Sequence, residues 1–415
     1  MKGFTLALGA LLAAAHAYAQ QVVRLPAQDR NVGGRITTVF GIGTTEGRSW
    51  EMLNNAEAAA FDRADNLYVL DRGNQRVLVF DRAGRFVRQL GKRGGGPGEF
   101  EVPVGLTVLG DGSLAVLDLA HQNVTIFGTD GRFRRTVAWR PEWGMPEREI
   151  AAESRGGVVA MLRRGIFLGP NGPPRVPSAT QARTLTRITL AGEGASERLM
   201  EVPDNAITEN KVDQDGRGQR VSFRMMGPPE FAPLTRWGVL PGGGVAITHT
   251  QGYVVKVLDA RGRVIRTLQR PVPVRRPTER DREAARDRVR ERMQSGRGMI
   301  MITRGGPGGG GGAPPPISRE QIEQRVRELQ FADTVRTIQG MIVTPSGKIW
   351  VERTPPTVGD PGPIDILTPD GRYLGTLRGT VLPAAVSATG RAAYFLRDEN
   401  EVERVVVRQL PAGWY

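Results

Sequence analysis

The sequence predicts an all-β fold, a six-bladed β-propeller closed by an N-terminal strand. Three observations predict it. Short alternating apolar runs recur along the chain, each copy carries a glycine-rich turn at the same place, and the last copy lacks an outer strand while a spare one stands near the start. The chain has 415 residues, 39% hydrophobic and 24% charged, enough apolar surface for a real core. Length alone would allow two or three domains of about 150 residues, and the repeats decide for one ring.

The first copy runs from Phe61 to Gly91, FDRADNLYVLDRGNQRVLVFDRAGRFVRQLG. Its apolar runs Leu67–Leu70, Val77–Phe80 and Phe86–Leu90 are separated by turn chemistry at Asp65-Asn66, Gly73-Asn74 and Ala83-Gly84, which predicts three antiparallel strands. The second copy repeats the plan with Val104–Val108, Leu114–Leu117, Val124–Phe127 and Phe133–Val137. Four weaker copies follow: Gly157–Leu162 to Val202, Trp237–Thr248 to Leu268, Ile338–Val351 to Leu377, and Ala384–Leu396 to Leu410. After the sixth, Arg35–Phe40 (RITTVF) has the character of an outer strand and is placed to complete the last sheet. Such closure removes the unpaired edges that invite aggregation.

LYVLDRGNQRVLVFDRAGRFVRQLG at 67–91 resembles the repeat of the NHL-repeat six-bladed β-propellers, with Gln75 where that family usually has histidine. The likeness is close over 61–91, good over 101–138, and elsewhere a periodicity. It implies a scaffold that serves equally for binding modules, hydrolases and lyases, so function must be argued from the site. Some related hydrolases hold a channel calcium with Glu, Asn and Asp, and some lyases a histidine-bound zinc.

Residues 1–19 have a basic start at Lys2, an apolar run from Phe4 to Ala15 and the small-x-small ending Ala17-Tyr18-Ala19, the pattern of a secretory signal peptide. A run of about a dozen residues is too short to span a bilayer core of about 30 Å. The expectation is therefore a propeller over 20–415, periplasmic or secreted, without a stable membrane anchor and monomeric.

The period breaks at 271–333. Thr278 with Asp281 and Ser318 with Gln321 have capping-box spacing and predict two helix starts. Ala285, Val289 and Met293 form an apolar stripe on the first helix, and Ile322, Val326 and Leu329 form one on the second. Each stripe must cover something: the other helix, the propeller, or a partner. Between them GGPGGGGGAPPP (305–316) cannot bury enough surface to order itself. Residues 275–297 hold nine arginines and five acids. Interleaved acids and absent aromatics predict a solvated, ion-paired helix and no nucleic-acid partner.

There is no cysteine, which excludes disulfides, thiolate metal sites and cysteine nucleophiles. Of 57 basic residues only five are lysine, and the formal net charge is +14. Three histidines, His16, His121 and His249, nearly exclude zinc once the leader is removed. The glycine-rich GKRGGGPGEF at 91–100 lacks the Gly-Lys-Ser/Thr ending and a following helix, so it predicts an inter-blade loop.

Propeller ligands commonly sit over the channel, near the loops after each second strand. Equal counting from those strands, with the adjacent loop histidine, gives the candidate ligand-binding set Asp71, Arg72, Asp118, His121, Arg163, His249, Arg353 and Arg397. Guanidinium forks in such a ring suit carboxylates. The expected function is a binding scaffold for a peptide, saccharide or protein ligand, with no resident cofactor. The alternative is a channel-site enzyme of lactonase, esterase or lyase type, for which calcium stays open. No catalytic residue is assigned.

Overall fold

The computed structural model describes residues 21–163, 182–192, 194–204, 207–215, 218–226, 228–294, 318–356 and 359–415. The expected leader and the 305–316 tract lie outside them. The chain folds as a six-bladed β-propeller of antiparallel sheets. Blade 1 comprises Ala56–Phe61, Leu67–Asp71, Arg76–Phe80 and Phe86–Leu90, and blade 2 Pro103–Val108, Leu114–Asp118, Asn123–Phe127 and Phe133–Ala138. Blade 3 comprises Met145–Ala152, Gly157–Arg163, Ala182–Thr189 and Ala195–Pro203. Blade 4 is Arg236–Val239, Val245–Thr248, Val254–Leu258 and Val264–Gln269, and blade 5 Ile338–Val343, Ile349–Arg353, Ile364–Leu367 and Tyr373–Leu377. Blade 6 takes Ala385–Val386, Arg391–Arg397 and Glu403–Gln409 from the C-terminal end and Thr37–Ile42 from the N-terminal end. The expected closure is thus present, two residues further along than Arg35–Phe40, with Gly41 opposite Val406 and Ile42 opposite Val405.

The core follows from this geometry. Each sheet is apolar on both faces, and six buried clusters form, one between each pair of neighbouring blades. The cluster joining blades 6 and 1 unites Ile42, Val405 and Val407 with Leu67, Val69 and Phe80, so the ring is continuous.

The N-terminal segment does more than complete blade 6. Gln21–Arg24 adds a fifth, parallel strand to the outside of blade 4. Asn31 then bridges to Thr376 on blade 5 before the chain enters blade 6. Residues 21–42 are therefore a belt over three consecutive blades. Arg270 clamps it: Nε donates to the Pro26 carbonyl at 2.8 Å, Nη2 donates to the Gln28 carbonyl at 3.0 Å and to Asp29 at 2.7 Å, and Nη1 donates to Asp365 at 2.7 Å. The side chains of Arg270 and Asp365 are fully buried.

Both expected capping boxes form, at the starts of helix α1 (Glu279–Gln294) and helix α2 (Arg319–Arg327). Their stripes cover each other: Val289 and Met293 pack on Ile322, Val326 and Leu329. Ala285 instead joins Phe231, Phe331 and Val335. A hairpin, Ile207–Asp215 with Gly218–Met226, precedes blade 4 and has no counterpart in the sequence reading.

Two stability outcomes follow. None of the six inter-blade clusters contains a residue from 276–334, and Val335 N–H donates to the Arg275 carbonyl at 2.8 Å, so the ends of that segment already touch. Replacing 276–334 by a short glycine linker should preserve cooperative unfolding and the native circular dichroism of the sheets. Asp365→Ala, by contrast, takes the acceptor from Nη1 of the buried Arg270, leaves Asp29 as its one carboxylate among the described residues, and should cost about 3 kcal/mol in urea unfolding.

Candidate functional site

An inner strand is hydrogen-bonded on one side only, so its free backbone edge faces the channel while its side chains point to the blades on either side. Blade 1 shows the rule: Ala58 and Ala60 pack toward blade 2, and Ala59 and Phe61 toward blade 6. Side-chain chemistry reaches the lumen where the pairing slips. Glu57 is bulged between the pairs Ala56↔Asp71 and Ala58↔Leu70 and Gln339 between Ile338↔Arg353 and Gly340↔Glu352, while the blade 2 bulge at Val104, between Pro103↔Asp118 and Gly105↔Leu117, keeps its side chain buried in the cluster with blade 3. The largest irregularity is in blade 3, where Glu147, Arg148 and Glu149 fall between Pro146↔Leu162 and Ile150↔Ala160. All lie at the start of their strands, so they share one face of the ring, the mouth face. Below them is a channel of about 580 Å³ lined by inner-strand residues of all six blades.

The mouth is charged. Arg148 Nη1 donates to Glu57 Oε1 at 3.1 Å, reaching from blade 3 to blade 1 past blade 2. Gly105 makes room for that crossing, since a Cβ there would stand 2.5 Å from the Arg148 carbonyl oxygen. Arg72 approaches the same Glu57 at 3.5 Å. Across the opening, Glu147 lies 3.2 Å from Arg183 and 3.5 Å from Arg163, which also bonds Asp204.

Two groups are left over. Glu149 has no hydrogen-bond or ion-pair partner among the described residues, although its side chain meets the lumen. The residue is solvent-exposed within the lumen, and the surrounding ring and the nearby Glu147 carboxylate push its pKa up to about 7, against the pull of Arg236. Arg236 heads the inner strand of blade 4. Its Nε donates to the Gln339 carbonyl at 3.1 Å and Nη1 to the Thr235 carbonyl at 3.3 Å, with no carboxylate in contact. Burial lowers its pKa, while Glu149, Glu147 and Glu352 oppose the shift from a distance. Glu352 is itself raised by burial. His249 is lowered by burial and by Lys256, whose ammonium lies 3.1 Å from Nε2. An ammonium can only donate, so the imidazole is neutral with its proton on Nδ1.

The eight residues expected at the site separate accordingly. Asp71 and Asp118 are fully buried and hold loops: Asp71 accepts from Asn54 N–H, Asn74 and Arg76, and Asp118 from the N–H groups of Glu101, Val102, Ala120 and His121. His121 Nδ1 lies 3.3 Å from Asp118. Arg397 pairs with Glu401 at the rim, and Arg353 pairs with Asp29 and Asp365 away from the channel. Arg72, Arg163 and His249 do belong to the mouth. Glu57, Glu147, Arg148, Glu149, Arg183, Arg236 and Glu352 escape the equal counting, because all but Arg183 and Glu352 sit at or just inside inner-strand starts. The available signal was MPEREIAA at 145–152, three charged residues leading into an apolar strand.

Among the described residues no three His, Asp or Glu side chains converge as a metal site would require, and no helix is long and apolar enough to cross a membrane.

A family model for a 6-bladed beta-propeller matches residues 60–140. No curated protein matches the sequence. Solved structures similar in fold include a streptogramin B lyase (10% identity, TM-score 0.44, covering 91% of this chain and 98% of that one) and a candidate exported protein of Bacteroides fragilis (11%, 0.46, 94% and 100%). A gluconolactonase of Xanthomonas campestris is similar at 11% identity and TM-score 0.41, with 92% and 100% covered.

Glu149 also predicts a pH dependence of stability. Its folded pKa of about 7 exceeds the ordinary 4.5, so the folded state binds the proton more tightly. The stabilisation is full below the ordinary value and is lost as pH rises through about 7. Glu149→Gln should match the parent near pH 4 and be the more stable protein at pH 8, checked by urea unfolding at both.

Proposed function

We propose that this chain is an exported NHL-like propeller that binds a carboxylate-bearing ligand, a peptide end or an acidic saccharide, at the channel mouth over blades 3–5. The observation that carries this reading is Arg236, a largely buried guanidinium held by two backbone carbonyls and, among the described residues, by no carboxylate. A buried cation without a contacting anion is costly, and a ligand carboxylate supplies the missing charge in the bidentate geometry guanidinium favours. Arg236 is paired across the ladder with Thr248, and neutral His249 directly follows that residue in the same blade. Protonated Glu149 would complement the carboxylate, and ionised Glu149 would repel it. The NHL-like repeat at 67–91 and the leader pattern at 1–19 support the family and export parts of the reading.

A second reading has its own support. An unpartnered carboxyl with a pKa of about 7 beside a lumen has the proton affinity a general acid or base needs near neutral pH. In a channel-site enzyme Glu149 would move the proton and Arg236 would hold the developing negative charge. No step in this reading is routed through a metal.

Calorimetry with D-galacturonate and N-acetyl-trialanine, each beside its uncharged counterpart, galactose or N-acetyl-trialanine amide, tests the first reading. At pH 6 the acids should bind and the neutral compounds should not. Arg236→Ala should weaken binding at least tenfold and Arg236→Lys less. Affinity should fall from pH 6 to pH 8 in the parent and stay level in Glu149→Gln. Equal binding of acid and neutral partners, or an Arg236→Ala protein that binds like the parent, overturns it.

A further inference from the structure

A second cavity, about 240 Å³, lies between blade 5 and the connection that carries the two helices, and shares no lining residue with the channel. Its walls are apolar and stiff: Val272, Pro273 and Val335 on one side, Pro355, Pro356 and Pro363 on the other. Four guanidinium-bearing residues, Arg275, Arg336, Arg353 and Arg378, also line it. Their partners are few. Arg275 holds Asp281 with two bonds, at 2.6 and 2.9 Å. Arg353 donates to Asp29 at 2.7 Å and stands 3.4 Å from Asp365, both of which also serve Arg270, and Arg378 bonds Asp29.

Arg336 spends one N–H on the Ala232 carbonyl at 3.1 Å and has no ion-pair partner among the described residues. Counting the four lining residues and Arg270, five guanidiniums stand against the three carboxylates that contact them among the described residues. Farther from Arg336, Glu230 is outnumbered by Arg236 and Arg288, so the surplus remains positive.

We infer that this cavity is an anion site separate from the channel mouth, and that it takes a phosphate group. The surplus of two positive charges matches a phosphate carrying about −1.5 to −2 at neutral pH. Planar forks at the rim suit its oxygens. The volume is below the roughly 300 Å³ of drug-sized pockets, which limits the occupant to phosphate itself or a phosphate with a small apolar substituent lying on the proline walls. Arg275 and Arg336 flank the helical segment at its two ends, so the insertion and the ring both contribute to the site.

The test is titration of the full-length protein at low ionic strength, with inorganic phosphate and with phenyl phosphate, followed by calorimetry. Both should bind. Tighter binding of phenyl phosphate assigns the site to a phosphate ester, and equal binding assigns it to the free ion. Arg336→Ala should weaken either at least tenfold. Arg378→Ala, whose side chain is more than half exposed and tolerates removal, should weaken it several-fold. Saturating D-galacturonate should not displace either phosphate, which separates this site from the mouth. Chloride at matched ionic strength giving the same heat, or both Arg336→Ala and Arg378→Ala binding like the parent, overturns the inference.

Discussion

The inner strands of the ring meet the channel edge-on, and most of the molecule's chemistry follows from that constraint. A strand in this position must send every side chain to one neighbouring blade or the other. That requirement makes the six inter-blade clusters, with residues such as Val69, Val116 and Val351 wholly inaccessible to solvent. It also strips the lumen of side chains. A functional group can enter only where the ladder is broken, and a broken ladder loses backbone hydrogen bonds whose polar groups must then find water. The protein accepts that loss at one end of the strands, at Glu57, Val104, Gln339 and the Glu147–Glu149 stretch, and keeps the rest of each inner strand regular. The site is a set of deliberate irregularities in an otherwise repetitive scaffold.

Closure imposes the second constraint. A blade assembled from both ends of the chain has only the stability with which the terminal strand is held, and Thr37–Ile42 by itself is six residues with one buried position. The belt lengthens that hold across three blades. Arg270 makes it specific, because one guanidinium reads the backbone at Pro26 and Gln28, the carboxylate of Asp29 and the buried Asp365, and lies over the Tyr373 ring at 4.6 Å. A buried ion pair of this kind costs desolvation that apolar packing would avoid. Its advantage is geometric: a single planar fork with so many fixed acceptors admits one register of the belt. Asp29 is accordingly held below the usual carboxylate range, since the bonds from Arg353 and Arg270 outweigh the upward push of burial.

Legibility in the sequence tracked regularity. Blades 1 and 2 could be read almost strand by strand because their turns fall on Asp, Asn and Gly at constant spacing, and the closing strand because RITTVF had no other place to go. Both capping boxes were legible because Thr278–Asp281 and Ser318–Gln321 are local devices, indifferent to the rest of the fold. The strand 145–152 was not, because its three charged residues break the alternation that marks a strand, and breaking it is its role. The same reason misplaced the site. Counting equally after the second strands selected Asp71 and Asp118, whose carboxylates carry the blade turns, while Arg236 and Glu149 are defined by what they lack, and an absent partner leaves no pattern in one dimension.

The excess length of the chain is not spread evenly, and where it goes bears on the site. Connections from an outer strand to the next inner strand, and from a second strand to a third, begin and end on the mouth face. The three longest by residue number are 164–181 within blade 3, which lies outside the described residues, 204–235 from blade 3 to blade 4, and 270–337 from blade 4 to blade 5. They belong to consecutive blades, and those blades supply Glu147, Glu149, Arg163, Arg183, Arg236, His249 and Glu352. The latter two connections are tied together beside the mouth: Gln251 donates its side-chain amide to the Phe231 carbonyl and to Thr334, and Glu230 bridges to Phe331. Loop insertions over solvent are thermodynamically cheap, so length alone would scatter around the ring. Its concentration in the sector where, among the described residues, Arg236 has no contacting carboxylate and Glu149 no partner means that the same three blades provide both the charge of the mouth and the long connections. Blades 1, 2 and 6, with short connections and paired or apolar bulges, are left to keep the ring closed.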